Sequence, residues 1–142
     1  MKTVEELIPL IEEWADKKGI DNPERQYLKI LEEVGETAAA ILRDDQDEIK
    51  DGIGDIAVTV IIYYWQKKEK LFLDFEIHAT PNYWLTFEFL LSDLYEIEPE
   101  PLMWLDCLAY RHGTTLKECL NIAWSEIKDR KGKTVNGTFI KE

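Results

Sequence analysis

The sequence predicts an all-α helical bundle, with about four core helices, additional helices and a short C-terminal β-hairpin. Apolar residues recur at helical spacing along most of the chain, and helix start and stop signals divide it into segments. The one stretch with strand-like alternation lies near the end, around an Asn-Gly pair. Because 142 residues is about the length of one typical domain, we expect residues 1–142 to form a single domain.

The first two helices have clear boundaries. Apolar residues at helical spacing predict a helix over 3–18, and Gly19 is a typical stop signal. Asn22 followed by Pro23 is a strong start signal, because Asn caps free amides and Pro suits the first helical turn. The second helix is predicted to run to about Arg43.

The third helix, predicted from about Asp47 to Lys68, should be the most buried element. Its second half is apolar on every side. Within residues 52–66 the only charged residue is Asp55. Burying an unpaired carboxylate is costly, so we expect either a compensating partner beside Asp55 or access of its side chain to water.

The second half of the chain continues the helical pattern. Residues 76–83 predict a loop, and an aromatic-rich helix should run from Trp84 to about Glu96. Prolines within residues 98–101 end that helix and open another, from Leu102 to His112, with Gly113 as its stop.

A last helix and a hairpin complete the predicted fold. Thr115 and Glu118 form a T-x-x-E capping box, which predicts a helix running to about Lys131. The Asn136-Gly137 pair between short alternating segments indicates a tight β-hairpin. Because an isolated hairpin is marginal, it should pack on the helices or on a second subunit.

Composition limits the possible partners and location. A net charge of -12 argues against nonspecific binding to nucleic acid or to anionic membranes, which requires clustered Lys and Arg. The longest apolar run, residues 56–65, is about half the roughly 20 residues that a membrane helix needs, and the first residues are acidic. We therefore expect a soluble, cytoplasmic protein, with Cys107 and Cys119 as free, buried, reduced thiols.

Two acidic stripes stand on neighbouring helices. Helical spacing puts one set on a single face of the second helix: Lys29, Glu32, Glu33 and Glu36. It puts the other set on a face of the third helix: Glu48, Asp51 and Asp55. The short connection makes the two helices an antiparallel pair, with Asp55 at the level of Glu33 to Glu36. A single stripe usually marks a solvated face, but two facing stripes favour a cation site.

Oxygen ligands of this kind suit Mg²⁺ or Mn²⁺, which would offset the mutual repulsion. A di-iron bundle requires Glu-x-x-His pairs, which the sequence lacks, and we interpret His78 and His112 as structural. Gly35, Gly52 and Gly54 are unfavourable inside helices and indicate close backbone approach beside the site, or tight helix packing without any ligand.

These residues resemble the MazG-like nucleoside triphosphate pyrophosphohydrolases of the all-α NTP pyrophosphatase superfamily, which carry EExxE on one helix and ExxD on the next. EEVGE at 32–36 matches the first motif, EIKD at 48–51 matches the second, and GIGD continues to Asp55. The likeness covers 22–66 and 115–142, and is closest to short forms found in phages and their hosts. Gly52 stands where many members have Glu.

The resemblance implies Mg²⁺-dependent hydrolysis of an NTP or dNTP to the monophosphate and pyrophosphate, in nucleotide-pool house-cleaning or regulation. It implies metal ligands at Glu33, Glu36, Asp51 and Asp55, with Glu48 or Glu32 completing the shell. Glu32 and Glu33 are the candidate catalytic residues, and Glu32 could act as general base.

Cations are also needed for a nucleoside triphosphate substrate. The candidate phosphate-binding residues are Lys29 and a basic run at the end of the last helix that includes Lys128, Arg130 and Lys131. The same run could simply complement the negative end of that helix. Family members often assemble as homodimers or homotetramers, and residues 84–110 form a reasonable contact surface.

A noncatalytic alternative remains open at the level of sequence. The chain could be an acidic helical regulator or partner-binding module whose metal site has degraded, and Gly52 favours that interpretation. Retention of the other carboxylates favours the enzyme.

Overall fold

The predicted all-α architecture is confirmed. The computed structural model describes residues 1–75 and 79–142, which form six helices followed by a two-stranded antiparallel hairpin. In chain order the elements are α1 (Val4–Lys18), α2 (Pro23–Leu42), α3 (Gln46–Lys67), α4 (Tyr83–Glu96), α5 (Pro101–Arg111), α6 (Leu116–Ile127), β1 (Gly132–Val135) and β2 (Thr138–Lys141). Each predicted helix is present, with most ends within one or two residues of the predicted ones.

The ends of α1 and α2 follow the predicted capping chemistry. Thr3 and Glu6 form a reciprocal capping box at the start of α1, and Gly19 ends it in the left-handed conformation at φ 69°. The Asn22 side chain accepts a hydrogen bond from the Arg25 amide at 3.2 Å, so Asn22 caps α2.

Helix α3 is the central element, as its apolar sequence predicts. Thirteen of its residues are buried, and α1, α2, α5 and α6 all pack against it. Helix α2 runs antiparallel beside it, and the buried Gln26 amide donates to the Thr59 carbonyl across the pair at 3.1 Å. This central position gives α3 a neighbour on every side, which explains why its second half has no polar face.

Two of the three helix glycines allow close approach, and the third does not. A Cβ on Gly54 would lie 2.1 Å from the Cys119 carbonyl oxygen of α6, and a Cβ on Gly52 would lie 2.3 Å from Thr37 Oγ1 of α2. The prediction of close backbone approach is wrong for Gly35, where a Cβ would have no atom within 4 Å among the described residues. Gly35 lies on an exposed part of α2, so packing within the chain does not require it.

Helix α6 differs from its prediction at both ends. It ends at Ile127 rather than near Lys131, because the chain turns there to begin β1 at Gly132. Thr115 caps the Glu118 amide at 3.0 Å, but the Glu118 carboxylate does not complete a capping box. It instead accepts hydrogen bonds from Thr114 Oγ1 at 2.6 Å and from Lys50 Nζ of α3 at 3.0 Å. Glu118 therefore ties the start of α6 to α3.

The Asn136-Gly137 hairpin is present and packs on the helices. Both turn residues have positive φ, at 52° and 75°, as a primed turn requires. The strands pair with Val135 opposite Thr138 and Gly132 opposite Lys141. Phe139 packs edge-on against Trp14 of α1, with ring centroids 5.2 Å apart.

The remaining predictions concern the two cysteines, the two histidines and the absence of a membrane helix. Cys107 and Cys119 are free and buried, as predicted. The His112 ring stacks on Tyr83 and shares a 3.1 Å hydrogen bond with its hydroxyl, which fits the structural role expected for it. His78 lies outside the described residues. Among the described residues, no helix is both long enough and apolar enough to cross a membrane.

Candidate functional site

Carboxylates from two helices converge at the level of Asp55. Helix α3 supplies Asp51 and Asp55, one turn apart, and α6 supplies Glu126. One oxygen from each of these three side chains lies within 4.8 Å of the others. Close packing of α6 on α3 at Gly54 makes this possible, because any side chain there would hold the helices apart.

Helix α2 brings Glu33 and Glu36 to the same level from the other side. Glu36 lies across a cavity of about 290 Å³ between α2 and α3. The cavity is lined by residues of both helices: Glu36, Ala39, Ala40, Arg43, Glu48, Asp51, Gly52 and Asp55. Arg43 of α2 pairs with Glu48 of α3 at one end of the cavity, as the antiparallel arrangement of the two helices predicts.

Asp55 has the most perturbed carboxyl of this group. Burial is the main cause, and the nearby charges of Asp51, Glu33 and Glu126 act in the same direction, raising its pKa from 3.8 to about 8. Arg130 opposes the shift. With nothing else bound, Asp55 therefore holds a proton at neutral pH.

Two neighbouring carboxyls are perturbed for similar reasons. Burial and then the Glu36 carboxylate raise the pKa of Glu33 to about 7, against the opposing charge of Lys29. Burial and then Glu126 raise the pKa of Asp51 to about 6, against Arg130 and Lys141. Clusters of raised pKa values of this kind occur where proteins bind cations or perform catalysis.

The donor set fits a hard divalent cation. Asp51 Oδ1 is buried and has no hydrogen-bond partner among the described residues, which is costly unless another group satisfies it. All the converging ligand atoms are carboxylate oxygens, the type that Mg²⁺ and Mn²⁺ prefer. A divalent cation would satisfy the lone oxygen and offset the repulsion that raises the pKa of Asp55.

Two predicted site residues lie at the margins of this cluster. Glu48 lines the far end of the cavity, where its carboxylate pairs with the Arg43 guanidinium. Glu32 is exposed on α2 and pairs with Lys29. Lys29 therefore neutralises the edge of the acidic stripe, through Glu32 directly and through its effect on Glu33.

Of the predicted cations at the end of α6, the structure brings Arg130 towards the carboxylates. Its charge acts on both Asp51 and Asp55. Lys128 and Lys131 are exposed, and neither is among the charges with the largest effect on the pKa of Asp51 or Asp55.

Residues 21–80 match the family model of the MazG nucleotide pyrophosphohydrolase domain. This stretch of the chain is therefore similar to a MazG domain. The resemblance predicted from EEVGE and EIKD is confirmed for that stretch, which contains all of α2 and α3.

A phage protein also matches. Over 65 residues the chain is 35% identical to an uncharacterized 18.2 kDa protein of Haemophilus phage HP1 (strain HP1c1), from the rep-hol intergenic region. The aligned stretch covers 44% of this chain and 40% of the phage protein, so the chain spans less than half the length of this curated relative. No solved structure matches the chain.

Sequence reasoning missed Glu126, which lies outside the matched MazG residues. A signal for it is present, because Cys119, Ala123, Glu126 and Arg130 follow one another at helical spacing. Cys119 and Ala123 are the residues that meet Gly54. The face of α6 that packs on α3 therefore continues to Glu126, and Arg130 follows three residues after the helix ends at Ile127.

Gly52, where many MazG-like members have Glu, is explained by packing. The space for its side chain is filled by Thr37, whose hydroxyl donates to the Glu33 carbonyl at 2.8 Å. Asp51, one residue earlier, lies with Asp55 and Glu126. The acidic cluster is thus built without a carboxylate at position 52.

Proposed function

We propose that this chain is a divalent-metal-dependent nucleoside triphosphate pyrophosphohydrolase, which converts an NTP or dNTP and water to the monophosphate and pyrophosphate. The observation that carries the proposal is the convergence of Asp51, Asp55 and Glu126 beside Glu33 and Glu36, in a chain whose residues 21–80 match the MazG family model. A carboxyl group placed as Asp55 is, among other carboxylates and away from water, is costly to keep unless it serves binding or catalysis.

Mg²⁺ or Mn²⁺ is the proposed cofactor, held by Asp51, Asp55 and Glu126 together with Glu33 and Glu36. Glu48 lies further along the cavity, beside Arg43, and is assigned to its rim. The bound ion would neutralise phosphate charge and lower the pKa of a water molecule.

The cavity size suggests which part of the substrate it holds. A volume of about 290 Å³ lies at the lower end of the range for small-molecule sites, roughly 300–1,000 Å³. It suits the phosphates of a nucleotide, with the sugar and base lying over its rim. Arg130 would balance the negative charge of those phosphates from the α6 side, beside Asp51 and Asp55.

Hydrolysis breaks the anhydride bond between the α and β phosphates, and the attacking water must give up a proton. Glu32 and Glu33 are the candidate acceptors. Glu33 is half-buried and its charge acts on Asp55, whereas Glu32 is exposed and pairs with Lys29. Glu32→Gln tests the exposed candidate, because loss of a proton acceptor that holds no metal lowers kcat while leaving Mn²⁺ affinity in place. Glu33→Gln should lower Mn²⁺ affinity as well, because Glu33 is also a proposed ligand.

The test is pyrophosphate release from a panel of canonical and modified NTPs and dNTPs, with Mg²⁺ or Mn²⁺ and with chelator. We expect metal-dependent release from at least one nucleotide, and its loss in Asp55→Asn and Glu36→Gln. Asp129→Asn, an exposed change three residues after Glu126, is the matched control and should keep full activity. No turnover of any nucleotide, or full activity in both site variants, would refute the enzyme and favour a noncatalytic regulator or partner-binding module.

We also propose that the chain forms a homodimer or homotetramer. The segment 84–110 carries large exposed aromatic side chains, including Trp84 at 73% and Tyr95 at 84% exposure. Exposed aromatic groups of this kind favour contact with another protein surface. A solution mass equal to the 16.7 kDa of one chain at all concentrations would contradict this assembly.

A further inference from the structure

The turn of the C-terminal hairpin is fastened to the corner between α1 and α2. The Asn22 side-chain amide donates to the Asn136 carbonyl at 3.2 Å, so the residue that caps α2 also holds the turn. Arg25 Nε donates to Thr138 Oγ1 at 2.7 Å, and the Thr134 hydroxyl donates to the Lys18 carbonyl. These contacts come from both strands and from both helices.

Gly137 makes the attachment to the helices close, and Gly132 makes the contact between the two strands close. A Cβ on Gly137 would lie 2.4 Å from the Asp21 carboxylate, and its φ of 75° also disfavours any other residue. On β1, a Cβ on Gly132 would lie 2.3 Å from the Ile140 carbonyl oxygen and 2.9 Å from Lys141 Cα. The hairpin is therefore closely packed against the helices at its turn, and its two strands are closely packed against each other at its open end.

The strand register places Lys141 beside the chain segment that follows Arg130. Gly132 pairs with Lys141, and the Glu142 amide donates to the Lys131 carbonyl at 2.9 Å. Lys141 is therefore paired with a residue only two positions after Arg130 in the chain. Phe139 and Lys141 share one face of β2, and Phe139 uses that face to pack on Trp14 of α1.

The exposed Lys141 side chain acts on Asp51, and the described residues give it no other partner. Its charge lowers the pKa of Asp51, in the same direction as the charge of Arg130. Within residues 1–75 and 79–142, the Lys141 ammonium makes no ion pair and no hydrogen bond. A cation that faces an acidic site while remaining exposed is available to a ligand.

We propose that Lys141 binds the phosphates of the substrate, and that the hairpin exists to position it beside Arg130. This rests on the proposed pyrophosphohydrolase function. A triphosphate entering a site with several carboxylates needs cations from the protein in addition to the metal ion, because its negative charge is otherwise repelled. The hairpin supplies one from a strand that lies outside the matched MazG residues.

The test compares Lys141→Gln and Lys141→Arg with Lys133→Gln, a matched change at an exposed lysine on β1. Binding of inorganic pyrophosphate in the presence of Mn²⁺ is measured by calorimetry, and KM and kcat are measured on the best nucleotide. Loss of one charge-assisted phosphate contact should weaken pyrophosphate binding by about 10-fold and raise KM by a similar factor. Lys141→Arg should keep most of the affinity, and Lys133→Gln should match the wild type.

Two results would overturn the proposal in different ways. If Lys141→Gln binds pyrophosphate as tightly as Lys133→Gln and the wild type, Lys141 does not contact the phosphates, although the enzyme function stands. If the wild type binds no pyrophosphate and turns over no nucleotide, the proposed function fails and the Lys141 assignment falls with it. A drop in Mn²⁺ affinity equal to the drop in pyrophosphate affinity would also overturn it, because Lys141 would then act only through the carboxylates.

Discussion

Replacing Gly54 by alanine tests how the site is assembled. The new Cβ would lie 2.1 Å from the Cys119 carbonyl oxygen and 2.9 Å from Ala123 Cβ, whereas nonbonded heavy atoms prefer separations of about 3.5 Å or more. The first contact is with backbone, which cannot rotate away as a flexible side chain can. Helix α6 must therefore retreat from α3 by about 1 Å at this level.

The expected cost follows from that displacement. Overpacking a well-packed interior costs about 1–3 kcal/mol, and backbone contact places Gly54→Ala near the upper end of this range. Alanine recovers about 0.5–1 kcal/mol through its better helix propensity, which leaves a net loss of about 2 kcal/mol. For a chain of this size the melting temperature should fall by about 5–10 °C.

Gly35→Ala is the matched control on α2. It makes the same substitution inside a helix, where the new Cβ meets no described atom within 4 Å. It should stabilise the protein by about 0.5–1 kcal/mol and raise the melting temperature by about 2–4 °C. Thermal unfolding in chelator measures both. If Gly54→Ala is as stable as Gly35→Ala, the close packing of α6 on α3 is wrong, and with it the route that brings Glu126 to Asp55.

Two further predictions concern the same helices. In metal-free protein, folded Asp55 keeps its proton up to about pH 8 while the unfolded side chain releases it near 3.8, so the folded state binds more protons and stability falls as pH rises through this window. At ~1.4 kcal/mol per pH unit the Asp55 contribution to the loss between pH 6 and pH 8 is on the order of 2–3 kcal/mol, and Glu33 adds a smaller one. Urea unfolding should show that Asp55→Asn removes the larger part of the loss and that exposed Asp47→Asn does not. Gly52→Ala should destabilise the protein because its Cβ would lie 2.3 Å from Thr37 Oγ1, and adding Thr37→Ala should recover part of the loss. Additive effects of these two changes in a double-mutant cycle would contradict that contact.

Local signals in the sequence were enough to predict the fold. Asn22-Pro23, Gly19 and Asn136-Gly137 each impose a backbone conformation through their own side chain or lack of one, so their structural outcome does not depend on distant residues. The antiparallel placement of the two acidic stripes could also be predicted, since a short connection leaves α2 and α3 little choice.

Contacts between distant segments could not be predicted in the same way. Glu126 is about 70 residues from Asp55, and its place depends on how α6 rotates against α3, which Gly54 and Ala123 determine only once they face each other. Glu118 shows the same limit: its spacing from Thr115 predicts a capping box, but Lys50 of another helix attracts its carboxylate. Gly35, Gly52 and Gly54 each stand next to an acidic residue inside a helix, and only the packing around them shows that Gly35 makes no close approach.

Mn²⁺ binding measured by calorimetry tests most directly whether carboxylates from α2, α3 and α6 share a divalent cation. We expect binding by the wild type, a loss of at least about 10-fold in affinity in Glu126→Gln and Asp55→Asn, and no change in Asp129→Asn. Glu126 is the informative residue, because only the fold brings it to the matched MazG segment. Undiminished Mn²⁺ affinity in Glu126→Gln would contradict the three-helix site.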